Sequence, residues 1–245
     1  QMVAQNIVVS FQEFGASALS FPPIVAFGSN AANPHHMPTS RRLRNNEMVK
    51  LDFGCVYKNK CSDMTRTLFF GSPDARFKKL YALVLRAQER AIAKIRSDVS
   101  CGAIDRAARG MIERAGFGRN FVHGTGHGIS EFVHELPLLR PKATDRLTAG
   151  QVVTVEPGIY IKGWGGIRIE DMVLVKKGGH DVITKSKKRP SFSVIHYLEE
   201  IERFPLDTNR HIATLSAALE QELTKKIGDK PLPSIKKQLA RLKTV

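Results

Sequence analysis

Apolar positions recur at three- and four-residue steps in some stretches of the chain and at two-residue steps in others. Ile7, Val8, Phe11 and Phe14 predict a helix over residues 1–14, with Gly15 as its stop. A strand follows at Pro23–Phe27, then a polar loop from Gly28 to Arg42 rich in Asn, Pro and His. Phe77, Leu80, Val84, Ala91 and Ile95 form one stripe of a helix running to about Arg96. Ser72-Pro73-Asp74 supplies its start: a capping Ser, Pro at the first helical position and an acid near the positive end of the dipole. A second helix covers about Ala103 to Ala115, stops at Gly116 and carries Asp105 and Arg109 as an i,i+4 pair. Val152–Gly158 and Ile167–Val173 read as β segments that contain acids. Beyond Lys176 the pattern changes. Lys185–Pro190 reads as a linker, Phe192–Lys226 has helical spacing interrupted at Pro205, and Leu232–Leu242 is a short basic amphipathic segment.

The most informative stretch is Leu51–Thr67, which reads as a β-hairpin with Lys58-Asn59 at the bend. Asn tolerates the left-handed backbone of a two-residue turn. In that register Tyr57 faces Lys60, Gly54 faces Asp63 and Asp52 faces Thr65. Residues two apart on a strand share a face, as do opposed residues. Asp52 and Asp63 thus become diagonal neighbours, with Gly54 leaving space beside them. Two anions held that close repel unless one is protonated or a cation lies between them.

Composition bounds the rest. A chain of 245 residues with 42% hydrophobic content buries a sizeable core as one large domain or two smaller ones. No apolar run is long enough to span a bilayer, so no membrane partner is expected. Three cysteines, Cys55, Cys61 and Cys101, cannot all pair and favour a reducing, cytoplasmic setting. The formal charge of +15 admits an anionic partner, but no aromatic residues interleave with the basic runs and no nucleic-acid motif appears. A solvated lysine surface is the expectation.

Further along stand His123-Gly-Thr-Gly-His127-Gly, Val133-His134-Glu135, Val155-Glu156-Pro157-Gly158 and Arg168-Ile169-Glu170-Asp171. Asp52, Asp63, His127, Glu156 and Glu170 make a set of four carboxylates and one imidazole, which balances two divalent cations in charge. An oxygen-rich set of this kind suits Mn²⁺ or a similarly hard ion, with Co²⁺ or Zn²⁺ as alternatives. A two-metal centre polarises a carbonyl and lowers the pKa of a bound water, as amide hydrolysis requires.

Over roughly residues 1–185 the chain resembles the pita-bread metallopeptidases: methionine aminopeptidases, aminopeptidase P, prolidase and creatinase. Leu-Asp-Phe-Gly, Ser-Asp-Met-Thr-Arg-Thr, His-Gly-Thr-Gly-His-Gly, Val-Glu-Pro-Gly-Ile-Tyr and Gly-Ile-Arg-Ile-Glu-Asp carry that resemblance, in the family's order. It implies an α+β fold: a curved antiparallel sheet with outer helices and two pseudo-symmetric halves. It implies Asp52, Asp63, His127, Glu156 and Glu170 as metal ligands, with Glu156 also a proton carrier. Pro34-His35-His36 resembles the loop in which Xaa-Pro peptidases place a catalytic histidine, with His35 the better match. His134 resembles the histidine that contacts the substrate carbonyl, and His123 a further pocket histidine. Arg168 shares a strand face with Glu170, where it steadies the acids or the substrate. Ile-Glu-Asp-Met at the last ligand departs from the Phe-Glu-His-Thr type of methionine aminopeptidases. Ser130 stands where a Gly is usual and Glu131 where an apolar residue is usual.

The expectation is a dinuclear aminopeptidase acting on peptides with proline at the second position. Prolidase and methionine aminopeptidase are the alternatives in its class, and a catalytically silent pita-bread binding module the alternative outside it. Residues 1–190 are expected to form the catalytic domain, without the N-terminal domain and helical lead-in of longer members. Residues 191–245 are expected to be a basic helical extension for packing or homo-oligomer formation that contributes no ligand.

Overall fold

The computed structural model describes residues 1–188 and 190, which lie in the first of the chain's two units, Gln1–Ser193. The helical stripes and accessory role expected of residues 191–245 fall outside the described residues. In chain order the elements are α1 (Met2–Glu13), β1 (Ala18–Leu19), β2 (Ile24–Phe27), β3 (Glu47–Phe53), β4 (Cys55–Tyr57), β5 (Lys60–Cys61) and β6 (Met64–Phe70). Then come α2 (Ala75–Ile92), α3 (Cys101–Arg114), β7 (Gly126–Gly128), β8 (Glu135–Leu139) and β9 (Val152–Val155). β10 (Gly158–Ile161), β11 (Gly165–Arg168), β12 (Asp171–Val175) and β13 (His180–Val182) close the series. No helix among the described residues is long and apolar enough to cross a membrane.

Among the described residues every pairing of strands is antiparallel, and the two acid-bearing hairpins are built alike. In the first, β3 pairs with β6 and the chain continues past a break into the β4–β5 tip. In the second, β9 pairs with β12 and the chain continues past a break into β10–β11. This is the pita-bread arrangement expected from the motifs. The register of the first hairpin is as expected, with Tyr57 opposite Lys60 and Asp52 opposite Thr65. Lys58 and Asn59 both take left-handed φ, 48° and 58°, as a two-residue turn that matches strand twist requires.

Gly54 serves a purpose other than room for the acids. A Cβ there would lie 1.8 Å from the Ser62 carbonyl oxygen, so the glycine lets the two backbones meet at the break.

Both helices start elsewhere than expected. Asp74, not Ser72, caps α2, accepting from the Phe77 amide at 2.6 Å, and the helix begins at Ala75 with Pro73 outside it. It ends at Ile92, short of Arg96, yet Ile95 in the following turn is still buried. Ser100 caps α3, which begins at Cys101, not Ala103. The amphipathic stripes themselves hold: Phe77, Leu80, Val84, Ala91, Ile104, Ala108 and Ile112 join Val153, Val155, Ile167, Ile169 and Val173 in one core. The core therefore fills the space between the helices and one face of the sheets, and the acids point to the other face.

Candidate metal centre

Strand alternation delivers the polar side chains. Val153 and Val155 enter the core, so Thr154 and Glu156 point away from it, and the same alternation sorts Ile167 and Ile169 from Arg168 and Glu170. Continuing the register that pairs Asp171 with Val155 and Gly158 with Arg168 sets Glu156 across from Glu170. On β3, Lys50 and Asp52 share a face. His127 lies on β7, where a Cβ on the neighbouring Gly126 would come within 1.9 Å of the Thr154 carbonyl oxygen, so only glycine lets β7 approach β9 this closely.

Asp52, Asp63, His127, Glu156 and Glu170 line one cavity of about 490 Å³, together with His35, His123, His134 and Arg168. Asp63, His127 and Glu170 each bring a ligand atom within 4.8 Å of the others. His127 Nε2 lies 3.4 Å from Glu156 Oε1 and 3.7 Å from Asp63 Oδ2. Its Nδ1 faces the Gly128 carbonyl at 3.0 Å, which can only accept, so the proton sits on Nδ1 and Nε2 keeps its lone pair for the acids' side. Burial pushes this imidazole down to about 4, keeping it neutral.

The acids are under strain of like charge. Burial, then the Asp52 and Glu156 carboxylates, push Asp63 up to about 9. Burial pushes Glu156 up to about 7 against the pull of Arg168. Burial, with Asp63 and Glu156 next, drives Glu170 well above the ordinary range. Acids packed so closely ionise together only beside cations. Asp52 Oδ1, Asp63 Oδ1 and Glu170 Oε1 are buried without a hydrogen-bond partner, and buried acceptors are normally satisfied. Carboxylate oxygens with free lone pairs around a neutral imidazole fit hard divalent ions.

A ring of neutral and cationic groups holds the acids in place. Thr65 donates to Glu170 Oε2 at 2.7 Å and accepts from Arg168 Nε at 2.9 Å. Arg168 also donates through Nη2 to Asp52 Oδ2, and through Nη1 to the Tyr160 hydroxyl and the Pro34 carbonyl. Most of its donors are thereby spent on the scaffold and the acids. Tyr160 in turn lies 2.8 Å from His123 Nε2, whose other nitrogen faces the Gly124 carbonyl at 2.7 Å. That carbonyl takes the Nδ1 proton, so the Tyr160 hydroxyl donates to Nε2. Burial pushes His123 down to about 3, and both its ring nitrogens are engaged.

Two groups here escaped the sequence analysis. Tyr160 stood in a quoted motif with no role. Lys50 stands one residue before the expected hairpin with no expected role, yet it is fully buried, its Nζ donating to the carbonyls of Ala31, Asn33 and Pro34 at 3.2, 2.7 and 3.2 Å. Burial, then Arg168, pushes it down to about 6, but the Asp52 carboxylate pulls the other way. Three carbonyl acceptors around Nζ are satisfied only by the three donors of an ammonium, so the cation is the form this packing holds. The same-face rule that joined Asp52 to Asp63 would have found Lys50 two residues earlier.

The Asp105–Arg109 pair does more than brace α3. Asp105 also accepts from the Thr125 hydroxyl, and Arg109 donates to the carbonyls of Phe121 and His123, tying α3 to the segment that leads to His127. Ser130 and Glu131, the residues that depart from the family's usual types, meet Lys60 Nζ at 3.0 and 3.3 Å. They tie the β4–β5 tip to the segment carrying His134, whose ring packs edge-on to His127 with centroids 4.5 Å apart. His35 also lines the cavity, its backbone N–H donating to Asn33 Oδ1; partial burial, then Arg168 and Lys50, lower its pKa. Phe21, Pro22, Ile24, Met37 and Leu138 add an apolar lining, and Arg140 a cation.

The family model described as "Metallopeptidase family M24" matches residues 2–177. An uncharacterized peptidase of Staphylococcus saprophyticus is 42% identical over 188 residues, 77% of this chain and 54% of that protein. The chain spans about half the length of the curated relatives it matches. Among solved structures, recombinant prolidase from Thermococcus sibiricus superposes with a TM-score of 0.75 at 41% identity, covering 77% of this chain and 52% of that one. An X-Pro aminopeptidase from Thermotoga maritima does so with a TM-score of 0.76 at 34% identity, covering 78% and 55%.

Proposed function

This chain belongs to metallopeptidase family M24, and we propose that it removes the N-terminal residue from peptides with proline in second position. The observation that carries this is the cavity itself: five side chains with metal-ligand chemistry line it, together with three further histidines and an apolar lining. Asp52, Asp63, His127, Glu156 and Glu170 would hold two divalent ions, Mn²⁺ being the best match to the donor set. Such ions, when bound, polarise the scissile carbonyl and activate water.

The chain's own residues supply the rest. His134 and His35, both on the cavity wall, stabilise the oxyanion and help the leaving proline nitrogen, a poor leaving group until it gains a proton. Glu156, held by the Thr154 hydroxyl at 3.3 Å, is the proton carrier between water and leaving group. Arg168 keeps Asp52 oriented. The apolar lining of Phe21, Pro22, Ile24 and Leu138 receives side chains and excludes water.

One observation favours prolidase as a second reading. Arg140 is among the residues that line the cavity, and a cation there would pair with the terminal carboxylate of an Xaa-Pro dipeptide; a longer peptide carries that charge away. The superposed prolidase points the same way. The test is the hydrolysis profile of Mn²⁺-supplied protein on Xaa-Pro, Xaa-Pro-Yaa and Met-Ala peptides. Preference for Xaa-Pro-Yaa supports the aminopeptidase. Confinement to Xaa-Pro, lost on Arg140→Ala, turns the reading to prolidase. Equal rates on Met-Ala contradict both.

A further inference from the structure

The loop that carries His35 is held from beneath by two cations, one from each half of the fold. Lys50 on β3 donates to the Ala31, Asn33 and Pro34 carbonyls, and Arg168 on β11 donates to the Pro34 carbonyl as well. Asn33 then accepts from the His35 amide, fixing the next residue. The loop's other ties lie at its ends: a 3-10 turn over Gly28–Ala32 with the Asn33 amide on the Asn30 carbonyl, and the Thr39 carbonyl and Arg41 side chain bonded to the N-terminus and Glu47 respectively. His35 and Met37 are exposed, and residues 33–42 form no helix or strand. A lysine with no exposed surface, whose Nζ goes to the carbonyls of Ala31 at the end of a 3-10 turn and of Asn33 and Pro34 in the loop, is an anchor for the chain before His35. Lys50 also lies two residues before Asp52 on the same face, so a single strand delivers an acid to the metal centre and a cation to the loop.

We propose that Lys50 is a positioning residue, which sets His35 against the metal centre by pinning the backbone of residues 31–34 and makes no contact with substrate. The proposal rests on the functional reading above for His35 but not for the loop's order. Lys50→Met keeps the length and apolar stem of the side chain and removes all three donors. In hydrogen–deuterium exchange, amides in residues 29–37 should then exchange about tenfold faster or more, while β3 and β6 keep their protection. Bound Mn²⁺ should be unchanged. On an Xaa-Pro-Yaa peptide, kcat should fall about ten- to hundredfold with KM within about threefold, because a misplaced His35 costs the transition state more than the ground state. In a His35→Ala background the same substitution should cost less than about threefold, since Lys50 acts through a residue already gone.

Lys50→Gln, which keeps two N–H donors on a shorter stem, should fall between wild type and Lys50→Met and serves if the latter does not fold. Unchanged protection of residues 29–37, or full multiplication of the Lys50 and His35 effects, overturns the proposal. A wild-type protein inert on every Xaa-Pro peptide overturns the functional reading instead, and exchange alone then decides the role of Lys50.

Discussion

Removing the Asp105 carboxylate should destabilise this protein more than most single substitutions. Asp105 is fully buried and accepts from Arg109 Nε at 2.8 Å, from Arg109 Nη2 at 3.0 Å and from the Thr125 hydroxyl at 2.9 Å. Asp105→Ala leaves a guanidinium held by the Phe121 and His123 carbonyls and a buried hydroxyl without its acceptor. Breaking a buried ion pair by removing one partner costs about 3–5 kcal/mol. The Arg109 side chain is 15% exposed, so water recovers part of this, and about 3 kcal/mol is expected. At about 2–4 °C per kcal/mol for a domain of this size, Tm should fall by about 6–12 °C.

Arg109→Met in the same background removes the stranded charge and should recover about half the loss, because a pair deleted together costs far less than a pair broken. Urea unfolding of the wild type, the two single variants and the double variant measures this. The metal should be chelated throughout, since bound ions add their own stabilisation. A loss under about 1 kcal/mol for Asp105→Ala, or a double variant no better than the single, would refute the reasoning.

Asp63→Asn should abolish hydrolysis and weaken at least one metal, since a neutral amide replaces an anion in a charge-balanced site; metal analysis showing two tightly held ions with wild-type turnover would contradict it. Gly54→Ala should cost more than about 2 kcal/mol in chemical denaturation, because its Cβ would lie 1.8 Å from backbone that cannot swing aside. Burial works against ionised Glu47, but the Arg41 side chain and the Arg44 amide win and hold it below its ordinary 4.5. A carboxyl lowered on folding adds stability above its unfolded pKa and loses it as pH falls through the folded one. Glu47→Gln should therefore lower stability at neutral pH by under about 1 kcal/mol and converge on wild type well below pH 4.5 in acid titrations of stability.

The fold was legible through the family resemblance that five motifs carry, and the placing of the acids on one face follows from local patterning. Val-Thr-Val-Glu and Ile-Arg-Ile-Glu each sort one face to the core and one to the cavity, and the Lys58-Asn59 turn sets the register that brings Asp52 and Asp63 together. Helix boundaries were less legible. Ser72 and Asp74 are both good caps, and Pro73 favours the earlier one; Asp74 prevails in the fold, where its side chain reaches the Phe77 amide. What sequence pattern could not supply was contact between distant segments. Thr65 reaches Glu170, Tyr160 reaches His123, and Lys50 reaches the loop before His35, each across a separation that no periodicity encodes. The Asp105–Arg109 spacing foretold the ion pair but not its grip on residues 121–125.

The central claim is that the buried acids and His127 form one two-ion centre. A calorimetric titration of the metal-stripped full chain with Mn²⁺, with hydrolysis of an Xaa-Pro-Yaa peptide followed at each addition, tests it most directly. Two equivalents bound per chain, with activity rising as they bind, is the predicted result. One equivalent or none at full activity, or two equivalents bound with identical affinity after Glu170→Gln, would contradict it.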